Sequence, residues 1–140
     1  MPLTDLILAS KDEAQKIADS DYPLESWAGI DTKGIDVVAY SNLYSILTEQ
    51  EWQPDILDQF PLVSQGTEEG PWVSIFPAEM TEMLAGLEGD KMEKIAEDWS
   101  QAEEMAYFDP KEIKELLGEM RNLAKRAGSD RSDLLIWMSL

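Results

Sequence analysis

The chain has no cysteine and no histidine. Those two absences remove much of the usual chemistry of enzymes. There can be no Ser-His-Asp triad, no Cys-His pair, no thiolate redox centre and no zinc site built on His or Cys. A disulfide is excluded as well, which suits a reducing compartment. Also missing is a glycine-rich phosphate loop, in either the Walker or the Gly-x-Gly-x-x-Gly form. Long hydrophobic runs are lacking too. The longest, Leu6 to Ala9 and Leu134 to Met138, are far too short to span a bilayer. No basic stretch precedes the first of them, so no secretory signal is expected, and the expected location is cytoplasmic.

Positive charge is the remaining shortage. Lys and Arg number 11 against 29 Asp and Glu, a formal net charge of −18. A field of that sign repels phosphate backbones and anionic membrane surfaces, so neither nucleic acid nor membrane is an expected partner. Negative charge is first a matter of solubility. Its sharper reading is a surface that meets a basic protein, and salt adaptation is a third reading.

What the chain does contain is enough apolar sequence for one domain over residues 1–140, able to bury about two-thirds of its unfolded surface. The stretch Gly70-Pro-Trp-Val-Ser-Ile-Phe-Pro77 organises the reading. Its β-branched and aromatic residues predict a central strand over Trp72 to Phe76, buried on both faces apart from Ser74. Pro77 then suits the first position of a helix. Thr4 to Ala9 reads as a strand. Ser10 and Glu13 lie at capping-box spacing before a short helix to about Asp19. Pro23 to Gly34 reads as a loop holding Trp27 and Ile30 against the core. Asp36 caps a helix from Val37 to about Glu49, and Pro54 opens a short one to Gln59. Leu62 to Ser64 is a short strand, joined to the central one through a hairpin loop of about five residues, Gln65 to Glu69.

The second half reads as mostly helical. Met80, Met83, Leu84 and Leu87 share a face. Asp90 and Glu93 form a capping-type pair ahead of Met92, Ile95, Ala96 and Trp99. Asp109-Pro110-Lys111-Glu112 is the strongest helix start. That helix is expected to end at Gly128, with Lys125 and Arg126 in its last turn. Leu134 to Met138 closes the chain as a buried strand. The expected architecture is α+β, with three or four strands in one small sheet packed against about six helices.

Three stretches carry a resemblance to a known family: Gly34-Ile-Asp-Val37 through Leu43-Tyr-Ser-Ile-Leu-Thr48, the capped helix from Asp109 to Ala127, and the strand Leu134 to Leu140. The order of these pieces resembles the YfbM-like family of small bacterial proteins of unknown function. The resemblance implies an α+β fold. It brings no activity, cofactor or site residue with it.

Candidate site residues are few. Asp19, Asp21 and Glu25 cluster after the first helix, but they lack the glycine and the terminal bidentate Glu of a calcium loop, so no metal is expected there. Adjacent acids such as Glu68-Glu69 and Glu103-Glu104 diverge and do not converge on one ligand. Of the five Trp, Trp72, Trp99 and Trp137 fall on core faces. Trp52 lies in a polar stretch, where it either staples the following helix or, with Glu51, contacts a partner. Glu51, Trp52, Glu68 and Glu69 are therefore the candidate partner contacts. No catalytic, cofactor or metal-binding residue is assigned. The leading expectation is a non-enzymatic protein-binding module, with an inhibitor or immunity-type protein for a basic partner as its specific form. The alternatives are a carboxylate-dependent hydrolase or lyase, with or without Mg²⁺, and a homodimer using the C-terminal strand edge or the Met-rich helices.

Overall fold

The last strand of the chain is the middle of the sheet. In the computed structural model, which describes residues 3–140, the strands are β1 (Leu3–Ala9), β2 (Gly29–Asp31), β3 (Leu62–Thr67), β4 (Gly70–Ile75) and β5 (Asp133–Ser139). They form one antiparallel sheet in the order β2-β1-β5-β4-β3. Five α-helices lie among the described residues: α1 (Ala14–Ala18), α2 (Val37–Leu47), α3 (Ala78–Ala85), α4 (Gly89–Ser100) and α5 (Pro110–Asp130). Short 3-10 turns fill several connections, including Pro23–Glu25 and Pro54–Gln59.

The α+β expectation holds, with five strands in place of three or four. The missed strand is β2, read from the sequence as loop. Gly29 hid it. A Cβ there would run into the Leu6 carbonyl oxygen and the Leu24 side chain, so the glycine marks a close backbone approach within a strand. The hairpin is also tighter than expected. β3 continues to Thr67, which pairs with Gly70, and only Glu68 and Glu69 form the tip. β4 is an interior strand as expected, paired with β5 on one edge and β3 on the other, but Trp72 on it is only partly buried. β5 takes the middle place because it pairs along β1 from Ala9↔Asp133 to Leu3↔Ser139 and along β4 from Ile75↔Leu135 to Trp72↔Met138, and each of those strands carries one further strand outside it.

The alternation of side chains on the central strands builds two cores. Leu6, Leu8, Leu134 and Ile136 face α2 to α5 and form the large core with Tyr40, Phe76, Met80, Trp99 and Leu117. Ile7, Leu135, Trp137 and Val73 face the other way, against Ala14, Ile17 and Ala18 of α1. Helix starts follow the sequence at two points. Asp36 accepts from the N–H of Ala39 at 3.1 Å, and Asp109 from that of Lys111 at 2.8 Å. Elsewhere tertiary partners redirect the expected caps. Ser10 accepts from Asp12, while the Glu13 carboxylate takes the indole N–H of Trp27 at 2.6 Å. Glu93 lies inside α4, whose first residue is Gly89, and pairs with Lys114 of α5 at 2.7 Å. Pro77 is the residue before α3. α5 runs through Gly128 to Asp130 and is capped by Arg131 in the left-handed region, φ 56°, so Lys125 and Arg126 lie before its final turn.

Two surfaces expected for a homodimer are used internally. The C-terminal strand has no free edge. Met80, Met92, Met105 and Met120 are buried, and Met83 is partly so.

Candidate functional site

The face of the sheet that carries α1 is only partly covered. α1 spans five residues and sits over Ile7, Leu135 and Val73. Beyond it the register continues across the sheet: Asp31 pairs with Asp5, Asp5 with Trp137, and Trp137 with Val73. Side chains at paired positions share a face, so Asp31, Asp5 and Trp137 stand side by side at an open end. The chain between α1 and β2 forms the opposite wall, with Asp21, Tyr22, Leu24 and Glu25. The result is a cleft of about 390 Å³.

Trp137 is its floor. The ring is 2 % exposed, and its indole N–H donates to the Ser20 carbonyl at 3.1 Å, tying β5 to the end of α1. The rim is apolar and exposed to an unusual degree: Tyr22 at 69 %, Leu3 at 62 % and Leu24 at 37 % are three of the six exposed large hydrophobic residues among those described. Among these apolar groups stand Asp5, Asp21, Glu25 and Asp31, and no Lys or Arg lines the cleft. Asp31 also accepts from the N–H of Lys33 at 2.9 Å, which fixes its carboxylate at the end of β2.

Asp5 is the perturbed group. Partial burial, and then the Asp31 carboxylate beside it, raise its pKa from 3.8 to about 6. Both effects disfavour the charged form. The native chain therefore keeps a proton that the unfolded chain releases between those two values, and stability falls as pH rises through the folded pKa. Asp5→Asn is expected to stabilise the protein at about pH 7 by on the order of 1 kcal/mol, a figure already reduced for solvent screening of this half-exposed group. The gain should vanish below about pH 4. Urea unfolding at the two pH values tests this, and equal midpoints at neutral pH would contradict it.

Directly behind β1, on the helical side, lies a second polar group. The Thr4 hydroxyl accepts from the N–H of Gly34 at 2.9 Å and meets the Thr32 hydroxyl at 2.7 Å. Both threonines are buried. The Tyr40 hydroxyl is buried without a hydrogen-bond partner of ordinary geometry, although Thr32 lies near enough to favour its ionised form. Burial wins over that influence and pushes the Tyr40 pKa well up.

The residues singled out from the sequence lie elsewhere. Glu51 and Trp52 are in the connection after α2. There the Trp52 indole donates to the Ser41 hydroxyl at 2.9 Å, and the ring packs on the large core. Glu68 and Glu69 form the exposed tip of the β3–β4 hairpin. None of the four lines the cleft. Of the acidic group after α1, Asp21 and Glu25 line it, while Asp19 accepts from Gln15 at 3.1 Å. No set of three or more acidic side chains among the described residues converges as metal ligands would. Sequence reasoning missed Asp5 and Asp31 because their meeting depends on β2. The one available signal was the polar Asp5 within an apolar strand.

No family model, no curated protein and no solved structure matches the chain. The YfbM-like resemblance therefore rests on the residues quoted for it. No helix among the described residues is long and apolar enough to cross a membrane.

Proposed function

We propose that this protein acts by binding a basic partner protein, and that the cleft between Asp5, Asp31, Tyr22 and Leu24 is a principal contact. One observation carries this reading: exposed apolar side chains ringed by carboxylates, with no cation among the lining residues. An amphipathic cation, the stem and head of a Lys or Arg side chain, matches both parts of such a surface. The surplus of acid supports the same reading. Only two ion pairs, Lys94–Asp98 and Lys114–Glu93, occur among the described residues, and both are exposed. An inhibitor or immunity-type protein is the specific form we favour, because a net charge of −18 would steer a basic target into contact quickly.

The test is retention of proteins from a lysate on the immobilised chain. A basic protein should be held at low salt and lost, with about tenfold or more weakening, at high salt. The Asp5→Asn/Asp31→Asn double variant should hold it more weakly than the parent. If nothing basic is held at low salt, the reading fails.

A second reading draws on the same pair. A carboxyl group of pKa about 6 in a cleft beside a second carboxyl group, Asp31, has the properties of a general acid or base. A carboxylate-dependent hydrolase or lyase would lose turnover on Asp5→Asn, whereas a binding protein has no turnover to lose.

A further inference from the structure

The two edges of the sheet differ. β3 lies along α1 and is tied to it: the Gln15 side chain donates to the Gln65 carbonyl at 3.2 Å and accepts from the Ser64 hydroxyl at 2.5 Å. It also carries a register irregularity between Leu62 and Ser64. β2 has no such cover on its outer side. Its ladder to β1 runs through alternate residues. The N–H of Thr32 donates to Thr4 at 3.1 Å, that of Leu8 donates to Ala28 at 2.8 Å, and Ile30 stands opposite Leu6 between them. In an antiparallel pair the intervening residues turn their N–H and C=O away from the partner strand. Those residues are Gly29 and Asp31. Both are exposed, and no backbone hydrogen bond engages either from the outside among the described residues.

Depressions lie on both sides of this edge. On the α1 face is the Asp5 cleft, which Asp31 helps to line. On the other side α5 leaves a groove beside β2, lined by the end of β2 and Lys33 on one wall and by Glu115 and Glu119 on the other, continuing past Gly29 and Ile30 to Arg126. We propose that the free edge of β2 receives an extended basic segment of the partner protein as a sixth antiparallel or parallel strand. This rests on the reading of the protein as a binder of basic partners, and it names the mode of binding.

The geometry sets what the segment must look like. Side chains of an added strand alternate between the two faces. The residue opposite Asp31 enters the row Asp31–Asp5 on the α1 face, so it is cationic. The residue opposite Gly29 falls on the same face against Leu24, so it is apolar. The residue between them enters the α5-side groove beside Ile30, where Glu119 stands with Lys33 and Arg126, so that position accepts a polar or a cationic side chain. Charge also decides against the obvious competitor for a bare edge, a second copy of this chain. A short edge strand carrying an acid is a common guard against self-pairing, and two molecules of charge −18 repel each other. A basic segment meets attraction at the same place.

The test uses the full-length, ¹⁵N-labelled chain and ten-residue peptides in which Arg, Lys and Val follow the pattern above. Each is made with its natural backbone and with N-methyl groups on the residues whose N–H would join β2. Side chains and charge are unchanged by methylation, so the comparison isolates strand pairing, and the folded protein is not altered. Binding of the unmethylated peptides is expected to slow exchange of the Gly29 and Asp31 amides, and methylation to weaken binding by about tenfold for each hydrogen bond lost. Salt-sensitive binding that ignores methylation and leaves both amides unprotected would overturn strand addition while leaving the basic-partner reading in place. Absence of binding by every peptide, with a basic protein still held from the lysate, would also overturn it. Failure of both experiments would remove the two together.

Discussion

Replacing Trp99 by Ala is expected to cost about 3–5 kcal/mol of stability, the range for removing a large aromatic side chain from a core. Trp99 is 0 % exposed, and its indole N–H donates to the Ala39 carbonyl at 3.0 Å, so it joins α4 to α2 by packing and by a hydrogen bond. It also ends a chain of rings. Trp99 and Tyr40 lie 6.4 Å apart, Tyr40 and Phe76 5.0 Å, Phe76 and Phe60 5.9 Å, and Phe60 and Tyr44 5.9 Å, the last three pairs edge-to-face. Such pairs contribute beyond their buried area. A domain of this size is stable by only about 5–15 kcal/mol, so the variant should lose a large fraction of its stability. Trp99→Phe should cost less, since it keeps most of the ring volume and gives up the indole hydrogen bond. Urea unfolding followed by far-ultraviolet circular dichroism measures both. A loss below about 1 kcal/mol for the Ala variant would mean that α4 does not dock on α2 through this residue.

Thr4→Val should destabilise by about 1–3 kcal/mol, while Tyr40→Phe should be neutral or slightly stabilising. The two substitutions each remove one hydroxyl from the same buried region, yet the expected signs differ. Val keeps the shape of Thr4 but strands the N–H of Gly34 and removes a partner from Thr32. Leaving a buried polar group unpaired is what costs free energy. The Tyr40 hydroxyl makes no hydrogen bond of ordinary geometry, even to nearby Thr32, so its removal relieves a desolvated group. Measured together, the pair tests the hydrogen-bond assignment directly. If Tyr40→Phe costs as much as Thr4→Val, the Tyr40 hydroxyl is paired after all.

The polar cluster matters for the candidate site because Thr4 precedes Asp5 on β1 and Thr32 follows Asp31 directly after β2. Each threonine points into the helical side, and each neighbouring acid points to the α1 side. The Thr4···Thr32 contact thus lies next to the Asp5↔Asp31 pair, joined to it by the Thr32 N–H, which donates to the Thr4 carbonyl at 3.1 Å. The buried contact holds β2 on β1, and the exposed pair is where two carboxylates are brought together.

Local rules were enough where a segment's own residues decide its conformation. The Asp36 and Asp109 caps, the Pro54 turn, the apolar faces of α2 to α5 and the buried strands β1 and β5 follow from short-range chemistry and periodicity. So do the absence of His and Cys, which excludes the chemistries that need them, and the −18 charge. Tertiary structure decided the rest. β2 is three residues long and is a strand only because β1 lies beside it. Glu13 and Glu93 gave up expected caps for Trp27 and Lys114, partners 14 and 21 residues away. β5 became central through pairings that no local pattern announces. The floor and inner wall of the candidate cleft belong to this second class, since Asp5, Asp31 and Trp137 are adjacent only through ladder register. Residues far apart in the chain become neighbours when strands pair, and hydrophobic period alone does not say which strands those are.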